Sequence, residues 1–318
     1  MRLTTAYIFA LPRPVVQLRT GRWVPLRDLF DWRGADAVPP FVDSLTEAVA
    51  HVRDVKAGVA EFRHDSSTGL PTEQLWFWSP LLSPPAFRDF YAFEQHVATC
   101  RAKRGLEMVP QWYEQPAFYF SSPASLAGHD APVYGPAGCQ ELDYELELGL
   151  VIGKGGRDIR REDAWDHVAG FTIVNDFSAR DLQRREMAVG LGPAKGKDFA
   201  TAVGPWLVTL DEFRDRIDAE GRLHLEMTAR VNGRELSRGN AADMYFTWPR
   251  IIEHASRDAT LHPGDLLGSG TVGTGCILEL GPENTGGWLK PGDVVELEIE
   301  RLGVLRTPIV ARPADVSS

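Results

Sequence analysis

The chain reads as an α+β protein rich in β-structure, and three observations carry that expectation. Its 318 residues include 30 glycines and 22 prolines. Together that is about 16% against an ordinary ~12%, a surplus that turns between short strands absorb and a helical bundle does not. From Pro110 onward, short apolar runs alternate with turn signals, the pattern of a sheet-rich domain. Helical periodicity is confined to a few short stretches between those runs.

The elements follow in chain order. Residues 1–80 read as a small N-terminal β-containing domain, with extended runs at 5–9, 15–18 and 23–26, turns at Gly21 and Arg33-Gly34, and one helix. That helix opens at Ser44, where Glu47 three residues on completes a capping box in front of Ala48, Val49 and Val52. The Pro-rich stretch 79–85 reads as a linker, so 81–318 is the larger domain. Residues 86–104 are expected to be helical, because Phe87, Phe90, Phe93 and Val97 recur at spacings of three and four. Strands are expected at 117–120, 142–152, 168–174, 205–209, 223–231, 271–280, 294–299 and 304–310, with helical pieces at 161–165, 178–185 and 248–256. Residues 314–318 read as a frayed end.

Composition excludes several classes. The 34 basic and 44 acidic residues give a net charge of -10, and the basic residues are scattered among acids, so no nucleic-acid partner is expected. Cys100, Cys139 and Cys276 are far apart and form no CxxC pair, which supports neither a disulfide framework nor a zinc knuckle. No apolar run approaches the ~18 residues of a membrane span, and the opening run, broken at Pro12, is not expected to act as a signal peptide. The expected compartment is the cytoplasm.

Three islands carry chemistry. In 143–150, Asp-Tyr-Glu-Leu-Glu-Leu-Gly-Leu, strand alternation puts Glu145 and Glu147 on one face and Tyr144, Leu146, Leu148 and Leu150 on the other. Two such carboxylates fit either a divalent cation or the solvated face of an edge strand. In 175–183, Asn-Asp-Phe-Ser-Ala-Arg-Asp-Leu-Gln, Asp176 ends a buried strand, and Arg180 and Gln183 follow at helical spacing. An N-cap Asp with a surface Arg is the bland alternative. In 89–96, Asp89 and His96 are seven residues apart and, on a helix, share a face roughly 10 Å apart along the axis; a lone histidine is otherwise a structural one. The Gly-rich stretch 192–199 falls one residue short of a phosphate loop, with Asp198 where Ser or Thr is needed. It reads instead as a bend that turns Lys197 inward.

In this order and spacing, the islands, with Gly-Lys-Asp-Phe at 196–199 and Gly-Cys-Ile-Leu-Glu-Leu at 275–280, resemble the fumarylacetoacetate hydrolase family over residues 84–309. The resemblance implies a mixed β-roll or sandwich catalytic domain and a homodimer. It implies a divalent metal held by Asp89, Glu145, Glu147 and Asp176, magnesium first, with manganese or calcium as alternatives. His96 is then the base that activates water and Glu279 the residue that orients its imidazole. Lys197, Arg180 and Gln183 share developing negative charge, and Tyr91, Tyr119 and Thr271 fall at substrate-binding positions. The implied activity is hydrolysis of a carbon–carbon bond in a β-diketo acid of the fumarylacetoacetate or acylpyruvate type. A decarboxylase or hydratase of a related keto acid is the alternative, and a ligand-binding protein without catalysis a third. The chain departs from the family at Ser121-Ser122, at Arg104, which is out of register behind His96, and in its shorter N-terminal unit, so the substrate's distal end stays open.

Overall fold

The strand Leu146–Ile152 is buried at every position, as happens when both faces of a sheet are covered. Leu146, Leu148, Leu150 and Ile152 point to one face, where they meet Phe171, Ile173, Met227, Ala229, Val295 and Leu297. Val151 points to the other face and packs with Val174, Val203, Leu266, Leu29, Phe41, Leu45 and Val49. Each such side chain stabilises the fold by about 1.5–3 kcal/mol when fully buried, so this strand belongs to two cores at once.

The computed structural model describes residues 1–31 and 38–314. Its main sheet has eleven strands. The path runs Trp23–Pro25, Leu11–Gln17, Arg2–Ile8, Thr201–Thr209, Val168–Asp176, Leu146–Ile152, Leu266–Gly268, Phe87–Phe90 and Phe118–Ser121. A four-stranded sheet, Arg234–Asn240, Glu226–Val231, Val294–Ile299 and Gly303–Pro308, covers one face. The N-terminal helical segment, whose helix Leu45–Ala48 is capped by Ser44 accepting from the Glu47 amide, covers the other. This is the β-rich mixed architecture expected. The helix Trp248–Ser256 and the strand Val294–Ile299 have the expected bounds.

The N-terminal strands extend the main sheet, because Arg2 and Leu3 pair with Val208 and Leu207. Within 79–85, Ser79 and Leu81 are buried and Thr5 donates to the Pro80 carbonyl. The division into 1–80 and 81–318 remains our proposal for the chain; in space the two parts share one sheet.

Two expectations are corrected. Residues 86–104 are not one helix: Phe87–Phe90 is a strand, and the helix is Glu94–Ala102. Phe87 and Phe90 serve opposite cores, so their spacing of three reflects two buried sheet faces. Residues 271–280 are not a strand either, but a glycine-rich loop followed by the helix Ile277–Leu280. The Arg33-Gly34 turn lies outside the described residues, as does all of 314–318 except Ala314. Among the described residues, no helix is long and apolar enough to cross a membrane.

Candidate active site

The alternation that sends Phe87, Val151 and Val174 into the N-terminal core sends Asp89, Glu147 and Asp176 to the same face, since each lies an even number of residues away on its strand. The strands are held in register by Glu147 opposite Val174, and by Gly268 opposite both Asp89 and Gly149. Glu145 sits just before its strand, its amide donating to Asn175 Oδ1 at 3.0 Å. The four carboxylates, all buried, each offer an oxygen within 4.8 Å of the others. Gly268 makes this possible: a Cβ there would stand 2.3 Å from Asp89 Oδ1 and 3.1 Å from Glu147 Oε2.

Charge is distributed unevenly among the four. Lys197 donates to Asp176 Oδ2 at 2.7 Å and also to Glu145 Oε2, and Tyr119 donates to Asp176 Oδ2 at 2.5 Å. Arg180 reaches Glu145 Oε1 at 2.8 Å, Gln183 Oε1 at 3.1 Å and Asp143 Oδ2 at 2.9 Å. Burial works against ionisation of Glu145, yet Lys197 and Arg180 outweigh it and bring its pKa to about 2. Among the described residues, no cation donates a hydrogen bond to Asp89 or Glu147. Burial, then the neighbouring carboxylates, push both well above the usual range. Asp89 Oδ1 and Glu147 Oε2 are also buried with no hydrogen-bond partner among the described residues. A hard divalent cation satisfies both orphaned oxygens and removes the repulsion, so the residues present fit one.

His96, on the helix Glu94–Ala102, meets Glu279, on the helix Ile277–Leu280, at 2.7 Å between Nδ1 and Oε2. Burial disfavours an imidazolium, but contacts with Cys276 and Glu279 favour it more strongly and raise the His96 pKa to about 10. Asp143 fixes the Glu279 helix. Its carboxylate accepts from the amides of Ile277 and Leu278 at 2.8 and 3.0 Å while holding Arg180.

A cavity of about 470 Å³ joins the two clusters, lined among others by Asp89, Tyr91, His96, Tyr119, Glu145 and Glu147. Arg180, Gln183, Lys197 and Thr271 complete the expected residues on its wall. Asp176 and Glu279 stand behind it, each bonded to a lining residue. Asp89 and His96 therefore meet across a strand and a helix, not along one helix face. The bland readings fail here: Arg180 is buried, not a surface residue, and Glu145 and Glu147 are not solvated. Arg104, despite its register, lines the cavity with Lys103 and Arg184. Sequence reasoning passed over Asp143, although it shares the alternation of Glu145 and Glu147. It also missed Cys100, one helical turn from His96, and Cys276, three residues before Glu279.

A family model described as Fumarylacetoacetate (FAA) hydrolase C-terminal matches residues 86–310. The oxaloacetate tautomerase YisK of Bacillus subtilis is 39% identical over 200 residues, 62% of this chain and 62% of that protein. The chain thus spans less than two thirds of that relative. The maleylpyruvate hydrolase of Aquipseudomonas alcaligenes is 33% identical over 216 residues, 68% of this chain and 67% of the relative. A fumarylacetoacetate hydrolase structure from Exiguobacterium antarcticum superimposes with a TM-score of 0.74 at 26% identity, covering 98% of this chain and 100% of that one.

Proposed function

The chain belongs to the fumarylacetoacetate hydrolase family, and from that premise we propose that it is a divalent-metal-dependent enzyme that hydrolyses a carbon–carbon bond in a β-diketo acid. The observation that carries the reading is the buried His96–Glu279 pair opening on the same cavity as the four carboxylates. Asp89, Glu145, Glu147 and Asp176 would hold the ion, magnesium or manganese, which when bound polarises a substrate carbonyl and offsets charge on the departing enolate oxygen.

The chain's own residues supply the rest. In the neutral imidazole Glu279 accepts from Nδ1 of His96, which leaves Nε2 to take a proton from water; because the His96 pKa is raised to about 10, this base form grows as pH rises toward that value. The water oxygen bonds to the carbonyl carbon, the carbon–carbon bond breaks, and its electron pair passes into the enolate. The proton held on His96 is then delivered to the enolate carbon, and the carbonyl carbon, now bearing the water oxygen, leaves as a carboxylate, giving two acids. Lys197 and Arg180 lie beside the carboxylates and present positive charge to the cavity wall, and Tyr91, Tyr119, Gln183 and Thr271 shape it around the substrate. Lys103, Arg104 and Arg184, at the exposed side of the same cavity, suit a second, distal carboxylate. We keep a homodimer as part of this reading.

Keto–enol tautomerisation of a 2-keto acid is the second reading, favoured by the raised His96 pKa. A protonated imidazole is ready to deliver a proton to an enol carbon without any water being added. One experiment separates the readings: protein with Mg²⁺ or Mn²⁺ is incubated with a panel of acylpyruvates, fumarylacetoacetate and oxaloacetate, and products are identified by NMR. Two acids indicate hydrolysis, carbon dioxide indicates decarboxylation, and an accelerated enol-to-keto exchange with no new product indicates tautomerisation. No change in any of these compounds would refute both readings.

A further inference from the structure

Two thiols that the proposed chemistry does not use sit against the His96–Glu279 pair. Cys276 Sγ is 3.8 Å from Glu279 Oε2. Cys100 Sγ is 3.8 Å from His96 Nε2 and 3.9 Å from Nδ1. A His96 ring nitrogen, the Cys276 sulfur and a Glu279 oxygen lie within 4.8 Å of one another, all in buried residues. The second Glu279 oxygen, Oε1, belongs to a side chain only 2% exposed and has no hydrogen-bond partner among the described residues. A buried carboxylate with one oxygen lacking a donor, its other oxygen beside the His96 nitrogen and the Cys276 sulfur, is what a cation would complete.

We propose that His96, Cys276 and Glu279, with Cys100 beside them, form a second metal site that takes a thiophilic divalent cation of the zinc type, and that zinc bound there stops turnover by occupying His96. The donor set differs in kind from the all-oxygen carboxylate cluster. Magnesium prefers oxygen ligands, whereas zinc takes nitrogen and thiolate sulfur readily. Zinc bonds of about 2.0–2.3 Å place neighbouring tetrahedral ligands about 3.3–3.8 Å apart. The sulfur contacts of 3.8 and 3.9 Å already stand at that edge. The His96–Glu279 contact of 2.7 Å must open by about 0.6 Å, the ion replacing the proton between them. On binding, the Cys276 thiol releases its proton to solvent and the sulfur–zinc bond forms. Cys100 and His96 line the cavity, so an ion reaches this site by the substrate's own route.

The inhibition rests on the reading of His96 as the base, whereas the binding does not. Metal-free protein is given excess Mg²⁺ and then one equivalent of Co²⁺ as the visible substitute for zinc. A near-ultraviolet thiolate-to-cobalt charge-transfer band is expected, displaced by Zn²⁺, lost in Cys276→Ser and retained in Cys139→Ser. No band in the wild type, or a band of full intensity in Cys276→Ser, overturns the site. Zinc X-ray absorption on the wild type needs no variant: a sulfur neighbour at about 2.3 Å is required, and a shell of oxygens alone overturns it. With a substrate the enzyme turns over, one equivalent of zinc should lower the rate at least tenfold, without relief by further Mg²⁺. Full turnover by protein carrying the sulfur–metal signature would remove His96 as the base and leave the metal site standing.

Discussion

Replacing Glu279 by Gln keeps the shape of the His96 contact and removes its charge. The two side chains are 2.7 Å apart and only 5% and 2% exposed, so water screens the interaction little. A hydrogen bond to a charged partner is worth about 1.5–3 kcal/mol, and one pKa unit is about 1.36 kcal/mol. The His96 pKa, about 10 in the intact pair, should therefore fall by about one to two units in Glu279→Gln. The sign of the stability effect follows. Because the folded-state pKa lies above the ordinary 6.5, the pair's contribution is fully present below pH 6.5 and fades as pH rises through about 10. Urea unfolding of metal-free protein at pH 6 should show wild type ahead of Glu279→Gln by about 1.5–3 kcal/mol, with the gap closing at alkaline pH. NMR titration of the His96 ring gives the pKa directly, and kcat/KM should drop by about a hundredfold or more as the imidazole loses its orienting partner. An unchanged His96 titration, or a stability gap that widens with pH, would refute the reasoning.

Three further outcomes are expected. In Glu147→Gln the metal-free protein should melt higher than metal-free wild type, because one repelling buried carboxylate is gone, while the gain of about 2.7 kcal/mol that wild type shows at a hundredfold excess of metal over Kd should vanish; melting curves with chelator and with Mn²⁺ decide it, and a wild-type-sized gain contradicts it. Asp143→Ala removes one of the two carboxylates on Arg180, leaves two buried amides unpartnered and should cost about 3–5 kcal/mol in chemical denaturation, whereas a loss below about 1 kcal/mol would mean that Asp143 does not fix the Glu279 helix. Gly268→Ala places a methyl 2.3 Å from Asp89 Oδ1 and should weaken metal binding at least tenfold by calorimetry without unfolding the sheet; unaltered affinity would show that the carboxylates have room to move.

Much of the site was legible because parts of it are local. Glu145 and Glu147 stand at alternate positions of one strand, and Arg180 and Gln183 sit on one helical turn, so spacing alone puts each pair on a common face. Asp143 shares the first alternation and was readable in principle, but its function lies in amides contributed by residues 277 and 278. The segment around Asp89 was misread because Phe87 and Phe90 fill two cores on opposite faces of one sheet, and two-sided burial imitates helical spacing over a short run. Residues 271–280 were misread for a related reason. Apolar Val272, Cys276 and Ile277 are buried in a loop and a short helix whose path is set by the strands they cross.

The sequence by itself determined the β-rich class, the strand carrying two carboxylates, the turn that ends in Asp176 and, through motif order, the family. These are properties of residues close together in the chain, where alternation and helical spacing act directly. Only the tertiary structure decided which charges are already balanced. Lys197 and Arg180 hold Glu145, and among the described residues no cation hydrogen-bonds to Asp89 or Glu147. It also brought His96 to Glu279 across 183 residues of chain, with Cys100 and Cys276 beside them. Electrostatic balance in a buried site depends on distance and burial, and both are set by how the main sheet, the helices carrying His96, Arg180 and Glu279 and the loop carrying Thr271 close around the cavity.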